Sequence, residues 1–582
     1  MHARIRKSIP KFFFITVLFL FFAWTGFAYA ATDLMGNLKP DKILFNGKIV
    51  TVDSNFSIAQ AVAVQGDKIV AVGKTADLKK LKGTKTQMID LKGNTVIPGL
   101  NDGHMHMLVT GLGLSKINLQ DPKIKTLSDL VQAVADRVKT AAKGEWIEGW
   151  GWDQSKLKEN RFPTRWDLDK VSPDNPVYLT RTCAHIVVVN SKALELAGIT
   201  KDTPQPVGGE IVKDEKGEPN GALLERPAFN LVQKNIPTPD LKKKKEALRA
   251  ACKAFNAAGL TSVNDGGSYA DDYRAYQEVM NEGDLTVRVY AMTWLALHEI
   301  SDEEAVSYLN HLGPRNGFGN DFLKIGALKI VMDGGVGGRT ALMRTPYIAG
   351  KPDNYGIQSV PQDRLRKFIK MANQMGWQMA IHTCGGKAMD NVLEIFREAD
   401  QEKPIKGRRW YFVHGYDPSP QNLEDLRRME VGVATNPSFV HFLGDSFIFN
   451  MGKEWAAHAS PHKEYLENGI HISGGSDASV TPYPPLWGIY AAIARKTQVS
   501  KEVAGADQRI SVQDALRIFT MGGTWMTFEE KVKGSIEPGK LADMVILGED
   551  ILTVDPERIP KIPIIATFVG GKAVYIDPEA KL

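Results

Sequence analysis

The stretch VIPGLNDGHMH, residues 96–106, joins an apolar run to two histidines that are separated by a single residue. In a β-strand, residues i and i+2 point to the same face, so the imidazoles of His104 and His106 would lean toward one point. The mostly apolar residues 95–100 are predicted to be the buried strand that leads into the pair. Neutral imidazole is a common ligand of zinc and other divalent transition metals. Taken alone, the pair is compatible with a metal site and with two surface histidines in a loop.

Seven further strand-like segments follow, and several intervals between them have the periodicity of amphipathic helices, such as residues 361–375 and 388–399. Eight strands with helical crossovers predict an α/β fold, a (β/α)8 TIM barrel. An open doubly wound sheet is the alternative, and the barrel is favoured because the strand count closes at eight. The predicted strands are residues 95–100, 260–264, 287–292, 323–331, 377–382, 410–414, 431–436 and 470–474.

Both ends of the chain differ from its middle, because they consist of short strand-like pieces separated by turn formers such as Asn46-Gly47 and Gly570-Gly571. Chain termini commonly lie near each other, so we expect one small β-sandwich domain built from both ends. The predicted boundaries are residues 31–94 and 534–582 for the sandwich and 95–533 for the barrel.

The interval between His106 and residue 260 is too long for a barrel crossover, which predicts an insertion at residues 107–240 after the first strand. Insertions after barrel strands fall on the face that bears the active site, which favours a lid or part of a substrate pocket. A purely structural decoration is the alternative. Within the insertion, Trp146, Trp150 and Trp152 favour a small core of its own over an aromatic wall for an apolar substrate.

The first 30 residues have the pattern of a secretory signal peptide. A basic stretch precedes the apolar run at residues 12–27, and Ala28-Tyr29-Ala30 places small residues at the cleavage-defining positions. An uncleaved membrane anchor is the alternative, although the run is slightly short for a span. We therefore expect cleavage after Ala30, secretion to the periplasm and no stable membrane anchor.

Composition excludes several other classes of function. The 582 residues are 43% hydrophobic and 24% charged, as in globular proteins with room for a large barrel and a smaller partner domain. The formal net charge of +5 falls to +1 without the four basic residues at the N-terminus, so no basic field indicates a nucleic-acid partner. Cys183, Cys252 and Cys384 form no Cys-x-x-Cys motif, so cysteine chemistry is not the expected function. A small-molecule substrate is expected, and a homodimer is one alternative for the oligomeric state.

If the strands form a barrel, polar residues at their carboxyl ends should converge. Histidines end the first, fifth and sixth predicted strands, and an aspartate follows the eighth. These residues are His104, His106, His382, His414 and Asp477. One histidine at a strand end is more often a core or surface residue, but this combination at one end of a barrel predicts a metal site. Lys329 lies within the apolar fourth strand, where a lysine is costly unless it is paired or chemically altered.

These motifs resemble those of the amidohydrolase superfamily, and specifically its amidohydrolase-3 (YtcJ-like) family, which includes N-substituted formamide deformylase. The resemblance extends from about residue 39 to about residue 575, and the motifs are specific in combination. They are residues 98–106 (PGLNDGHMH), 185–198 (HIVVVNSKALELAG), 329–341 (KIVMDGGVGGRTA), His382, His414, 475–477 (GSD) and 534–543 (GSIEPGKLAD).

The resemblance implies a binuclear site. The ligands of the first ion would be His104, His106 and Asp477, and those of the second His382 and His414. Lys329 would be carboxylated on its amine and bridge both ions, which turns a buried cation into an anion. Two zinc ions are expected, with iron, manganese and nickel as alternatives.

The same resemblance implies a hydrolytic mechanism. A hydroxide between two cations is a nucleophile at neutral pH, and one cation would polarise the scissile carbonyl and stabilise the oxyanion. Asp477 would take the proton of the bridging water and hand it to the departing amine. His185 would bind substrate or assist the oxyanion, and Arg339 would bind substrate.

We therefore expect hydrolysis of a C–N bond in an amide or formamide-like substrate. One alternative is a cyclic amide, carbamate or ester hydrolysed at the same site. The other is a secreted binding or regulatory protein that keeps the barrel without catalysis.

The chain departs from the family pattern in one place. Members usually follow the histidine of the fifth strand with a Gly-Asp pair, whereas residues 383–387 (TCGGK) follow His382. The lost acid would be a hydrogen-bond partner of a metal ligand. Its absence therefore predicts altered activity or substrate preference and a weaker second metal site.

Overall fold

The computed structural model describes residues 39–114 and 116–580, so the predicted signal peptide, residues 1–30, lies outside the described residues. Within these ranges, none of the helices combines the length and apolar character that a membrane crossing requires. The described chain forms a barrel, an inserted unit with its own sheet, and a pair of smaller sheets.

Eight strands form one sheet in chain order, and every neighbouring pair in it is parallel, which confirms the predicted (β/α)8 barrel. The eighth and first strands meet through the segment after the eighth, where Asp477 N donates to His104 O at 2.8 Å and His106 N to Ala478 O at 2.7 Å. The barrel strands are Leu100–Met105, Leu260–Ser268, Arg288–Trp294, Leu323–Val331, Met379–Thr383, Tyr411–His414, Gly432–Thr435 and Ile472–Gly474.

Helices follow the barrel strands and pack on the outside of the sheet, where their apolar faces join one large hydrophobic cluster. In Gln362–Met375, for example, Leu365, Phe368 and Ile369 are buried, and the helix ends at Gly376, whose φ of 83° suits glycine. The helices of the barrel are Met107–Gly113, Leu241–Ala257, Ala270–Asn281, Asp302–His311, Gln362–Met375, Gly386–Glu402, Pro420–Met429, Pro437–Phe442, Gly444–Met451, Lys453–His458, His462–Glu467, Pro485–Ala494, Val512–Arg517 and Gly523–Met526.

Two smaller sheets, built from both ends of the described chain, share one hydrophobic core. The sheet of four contains Lys42–Phe45, Ala61–Gln65, Lys68–Gly73 and Gln87–Asp90, and the short helix Thr75–Leu78 lies beside it. The sheet of six contains Lys48–Val50, Ile58–Ala59, Thr95–Pro98, Met544–Leu547, Ile564–Val569 and Lys572–Ile576. This is the sandwich architecture expected from the terminal strands.

The predicted strand at residues 95–100 is two strands in two different sheets. Thr95–Pro98 pairs with Met544–Leu547 in the sandwich, and the barrel begins at Leu100. Between them, a Cβ on Gly99 would lie 2.2 Å from Thr261 Oγ1, so the crossing from one sheet to the other needs glycine. Periodicity could not reveal this break, because the largely apolar residues 95–100 continue across Gly99.

The insertion after the first barrel strand has its own six-stranded sheet and its own core, in which Trp152 is fully buried. Gln120 Nε2 and Thr182 Oγ1 both donate to Val480 O at 2.9 Å, which fixes the insertion to the loop after the eighth barrel strand. The strands of the insertion are Ile117–Asn118, Ile147–Trp152, Val177–Arg181, Ile186–Val189, Glu210–Lys213 and Pro219–Leu224. Its helices are Leu127–Val138, Arg165–Asp169, Ser191–Leu196 and Arg226–Gln233.

Candidate metal centre

The first and eighth barrel strands bring His104, His106 and Asp477 together. Asp477 Oδ1 lies 3.3 Å from Nε2 of each histidine. The His-x-His spacing directs both rings to one side of the strand end. On the adjacent second strand, a Cβ on Gly266 would lie 2.6 Å from His106 Cε1, so only glycine leaves room for the rings. These contacts create a cluster of three donor groups within 4.8 Å of one another.

The chemistry of this first cluster fits a divalent cation. Asp477 Oδ1 is buried and accepts no hydrogen bond from the described residues. Burial opposes ionisation of Asp477, but the two histidines outweigh it and hold the pKa of its carboxyl well below the ordinary value. Burial, aided by the charge of Lys329, lowers the pKa of His104 well below its ordinary value. An ionised carboxylate and a neutral imidazole are the donor forms that a transition metal binds.

The fifth and sixth strands bring His382 and His414 together, with 3.0 Å between His382 Nδ1 and His414 Nε2. Burial lowers the pKa of His414 to about 4 and that of His382 well below its ordinary value, so both rings are neutral at pH 7. His414 Nδ1–H donates a hydrogen bond to Asn436 Oδ1 at 2.7 Å, which leaves Nε2 free for a metal. Cys384 Sγ lies 3.5 Å from His382 Nε2 and joins this second cluster.

Lys329 lies next to both clusters, with its Nζ 3.3 Å from His104 Nε2. Its side chain is buried, and within residues 39–114 and 116–580 no carboxylate oxygen is within 4.0 Å of Nζ. Burial lowers the pKa of this amine to about 8, although the charge of Asp477 opposes the shift. The structure thus places all six predicted ligand residues around one point of the barrel mouth.

Two of these residues adopt a backbone conformation that side chains other than glycine rarely accept. The φ angle is 77° at His414 and 51° at Asp477, both in the left-handed region. Such strain persists only where surrounding structure enforces it, and it is typical of functional sites.

Three buried aspartates hold the backbone around the clusters, and none of them was predicted from the sequence to have a role in the site. Asp102 accepts from His104 N at 3.1 Å and from Ser476 Oγ at 2.6 Å, and so joins the first strand to the loop that presents Asp477. Asp265 accepts from Met107 N at 2.9 Å. Asp102 and Asp265 lie within or close to apolar strand ends, which is the signal that could have identified them.

Asp333, the third of these aspartates, anchors the loop after the fifth strand. It accepts three backbone N–H groups at 2.8–2.9 Å, from Leu342, Cys384 and Gly385. Burial raises the pKa of its carboxyl to about 7, although these donors oppose the shift. Its position therefore determines where Cys384 points.

Gly386 is the position at which the family resemblance implies an acid, and the space beside its Cα is occupied by Arg344 and Asp417. A Cβ at this position would lie 2.3 Å from Arg344 Nη1 and 2.5 Å from Asp417 Oδ2. Arg344 is already held by Asp417 and by both carboxylate oxygens of Asp390. A side chain at position 386 would thus meet Arg344.

A cavity beside the clusters is lined by both polar and apolar side chains. Its apolar lining consists of Val336, Tyr416, Phe439, Leu443, Phe447 and Val480. His185 also lines it and lies 2.8 Å, Nδ1 to Oε2, from Glu225. Burial disfavours the charged ring, but Glu225 outweighs it and raises the pKa of His185 to about 9.

Arg181 lines this cavity, whereas the predicted substrate-binding residue Arg339 does not and instead lies beside Gly350. Arg181 is fully buried and donates to Gln154 Oε1 at 2.8 Å and Asp153 Oδ1 at 3.0 Å. Like Glu225, it ends or follows a buried strand of the insertion, where a charged residue is a recognisable signal.

Comparison with known proteins identifies the family. Residues 87–575 match the model described as the amidohydrolase family, so the chain belongs to it. The chain is 31% identical over 547 residues to YtcJ of Bacillus subtilis (strain 168), named as an amidohydrolase, with 92% of this chain and 99% of YtcJ covered. It is 26% identical over 550 residues to N-substituted formamide deformylase of Arthrobacter pascens, with 92% and 98% covered.

A crystal structure of an uncharacterized metal-dependent hydrolase from Pyrococcus horikoshii OT3 is similar to the whole fold. Its TM-score is 0.70 at 26% identity, and the match covers 89% of this chain and 99% of that chain. Family and structural neighbour together support a hydrolase that uses a divalent metal and acts on a small molecule.

Proposed function

We propose that this protein hydrolyses the C–N bond of an amide or formamide-like small molecule with two divalent cations, zinc in the first instance. The supporting observation is that two clusters of imidazoles lie next to each other, with the ionised Asp477 and the buried amine of Lys329 beside them. The relative named as a formamide deformylase supports the choice of bond. Secretion to the periplasm is part of the proposal.

His104, His106 and Asp477 would hold one cation and His382 and His414 the other, with Lys329 carboxylated between them. When bound, the cations supply Lewis acidity, which lowers the pKa of water and stabilises negative charge on a carbonyl oxygen. Carboxylation replaces a buried ammonium by an anion, which removes the cost of an unpaired buried cation.

Asp477 would take the proton from the attacking water and return it to the departing nitrogen. Its Oδ2 lies 4.0 Å from His414 Nε2, so the carboxylate reaches toward both clusters. A carboxylate ionised at neutral pH can accept this proton, and its position beside both clusters suits the transfer.

His185 would donate a hydrogen bond to the substrate carbonyl. Glu225 keeps its ring charged at neutral pH, and a charged N–H donor stabilises a developing oxyanion better than a neutral one. The aromatic and aliphatic lining, including Phe439 and Phe447, favours a substrate with an apolar substituent beside the scissile bond.

The test is a screen of N-formyl and N-acyl amines, lactams, carbamates and esters with protein loaded with zinc or manganese. We expect turnover of amides or formamides that His104→Ala and Asp477→Asn abolish, while the exposed control Lys80→Ala leaves it unchanged. Circular dichroism checks that each variant is folded. No turnover of any class, or turnover unaffected by both site variants, would contradict the proposal and favour a binding or regulatory role.

A further inference from the structure

The second cluster contains a cysteine, Cys384, in addition to its two histidines. Its Sγ lies 3.5 Å from His382 Nε2, and the donor atoms of His382, Cys384 and His414 all fall within 4.8 Å of one another. We propose that Cys384 binds the second cation as a thiolate, so that this site is a His-Cys-His set. The inference rests on the proposed function, because it assumes that the second cluster holds a metal.

The backbone directs this thiol to the metal position. His382 lies on the fifth strand and Cys384 directly after it, and the spacing of two residues favours the same face of the chain. Asp333 then accepts the N–H groups of both Cys384 and Gly385, which fixes the backbone here and so the direction of the Cα–Cβ bond of Cys384. The side chain is 4% exposed, so bulk water does not compete for the sulfur.

The spacing of the donor atoms suits a tetrahedral ion. With zinc–nitrogen bonds of about 2.0–2.1 Å and a zinc–sulfur bond of about 2.3 Å, tetrahedral ligand atoms lie roughly 3.3–3.6 Å apart. His382 Nε2 lies 3.5 Å from Cys384 Sγ, which matches this spacing, and the donor atoms of all three residues lie within 4.8 Å of one another.

A thiolate at this position has two consequences. It adds a negative charge to a cluster that otherwise has only neutral imidazoles, and it makes the second site softer than the first, which has a carboxylate. The second site should therefore favour zinc or cobalt over manganese, whereas the first site should accept all three metals. On metal binding the thiol proton leaves to solvent.

The other two cysteines provide matched controls. Cys183 lines the same cavity but is not part of either cluster, and Cys252 is buried in the core of the barrel. Serine is close in size to cysteine, so Cys→Ser at each of the three positions tests the sulfur with little change in volume.

The experiment uses the full-length protein reconstituted with cobalt(II). We expect two cobalt ions per chain and a near-ultraviolet sulfur-to-cobalt charge-transfer band. In C384S the band should vanish and the second ion should bind at least about 100-fold more weakly, while the first ion stays. C183S and C252S should keep the band and both ions.

X-ray absorption at the zinc edge gives a readout on the unaltered protein, in case C384S does not fold. A zinc–sulfur distance of about 2.3 Å supports the inference, and a shell of only nitrogen and oxygen overturns it. A band that survives in C384S, or disappears in C183S, also overturns it. A wild-type protein that binds no metal contradicts the proposed function itself, whereas one that binds two ions without sulfur contradicts only the inference.

Discussion

Asp477 has the most demanding position in the site. Its backbone is in the left-handed region, its Oδ1 lies 3.3 Å from two imidazole nitrogens, and its carboxylate is nearly completely buried. Such an arrangement costs free energy in the metal-free chain, because a buried anion has no full partner. A cation between the carboxylate and the imidazoles removes that cost.

Replacing Asp477 by asparagine should therefore affect both metal binding and catalysis. We expect kcat to fall by about 10²–10⁴-fold, because an amide cannot accept the proton of the attacking water. Steady-state kinetics at saturating metal, with metal content measured in parallel, check this. If kcat stays within a few-fold of the wild type at full metal loading, Asp477 is not the base.

His185 gives the site a charge that depends on pH. Its pKa in the folded chain is about 9, above the ordinary value of 6.5, because Glu225 outweighs burial. The stabilisation from this pair is therefore fully present below about pH 6.5 and is lost as the pH rises through about 9. If His185 acts as the charged donor, kcat/KM should decline over the same alkaline range.

Glu225→Gln should move that alkaline decline of kcat/KM toward neutral pH, because the ring loses its anionic partner. A pH profile of kcat/KM for the wild type and E225Q measures the shift. Glu210 lies on the same insertion and forms an exposed pair with Lys351, and Glu210→Gln is the control that should leave the profile in place. An unshifted decline in E225Q would show that another group sets it.

At the scale of elements, the loops after the fourth and fifth strands act as one unit. Asp333 comes from the first loop and accepts backbone N–H groups of the second, and Leu342 N from its own loop completes the set. The second metal cluster thus depends on the Asp333 carboxylate. This carboxylate does not hydrogen-bond to the His382 imidazole, since Asp333 Oδ1 is 3.7 Å from His382 Nε2.

Asp333→Ala should release this loop and leave three buried N–H donors without partners. We expect the second metal ion to be lost or bound about 10–100-fold more weakly, while the first ion remains, because its ligands come from other strands. Metal content after dialysis against a weak chelator measures both. Equal loss of both ions would instead indicate general unfolding. Unchanged metal content would show that Asp333 does not support the second metal site.

At the scale of the whole molecule, a buried ion pair connects the barrel to the sandwich. Arg288 of the third barrel strand donates from Nε to Asp543 Oδ2 at 2.7 Å and from Nη2 to Oδ1 at 2.9 Å. Both side chains are buried, at 2% and 4% exposure. Asp543 just precedes the sandwich strand Met544–Leu547, so the pair sets how the two units meet.

Asp543→Ala should lower the free energy of unfolding by about 3–5 kcal/mol, because it leaves the guanidinium buried and unpaired. Denaturant unfolding followed by circular dichroism measures this, with Asp77→Ala, an exposed residue of the sandwich, as a control that should not move the midpoint. An unchanged midpoint for D543A would show that the ion pair does not stabilise the contact between the barrel and the sandwich.

The features that the sequence predicts are those set by residues close together in the chain, and the features it misses depend on residues far apart in the chain. The barrel follows from eight buried strands with helices between them, and His382, His414 and Asp477 were predicted because each ends or follows such a strand. The break at Gly99 was missed, since it depends on the approach of Thr261, which is distant in the chain. Arg181, which lines the cavity, and Glu225, which contacts His185, were missed for the same reason: their positions depend on how the insertion folds onto the barrel.

Metal analysis of the purified full-length protein shows whether each of the two histidine clusters holds a divalent ion that hydrolysis requires. We expect the wild type to retain two divalent ions per chain and to hydrolyse an amide or formamide. The double variant His106→Ala/His414→Ala should retain none and be inactive, with an unchanged circular dichroism spectrum. A wild type without firmly bound metal, or a folded double variant with the same metal content and activity, would contradict the account.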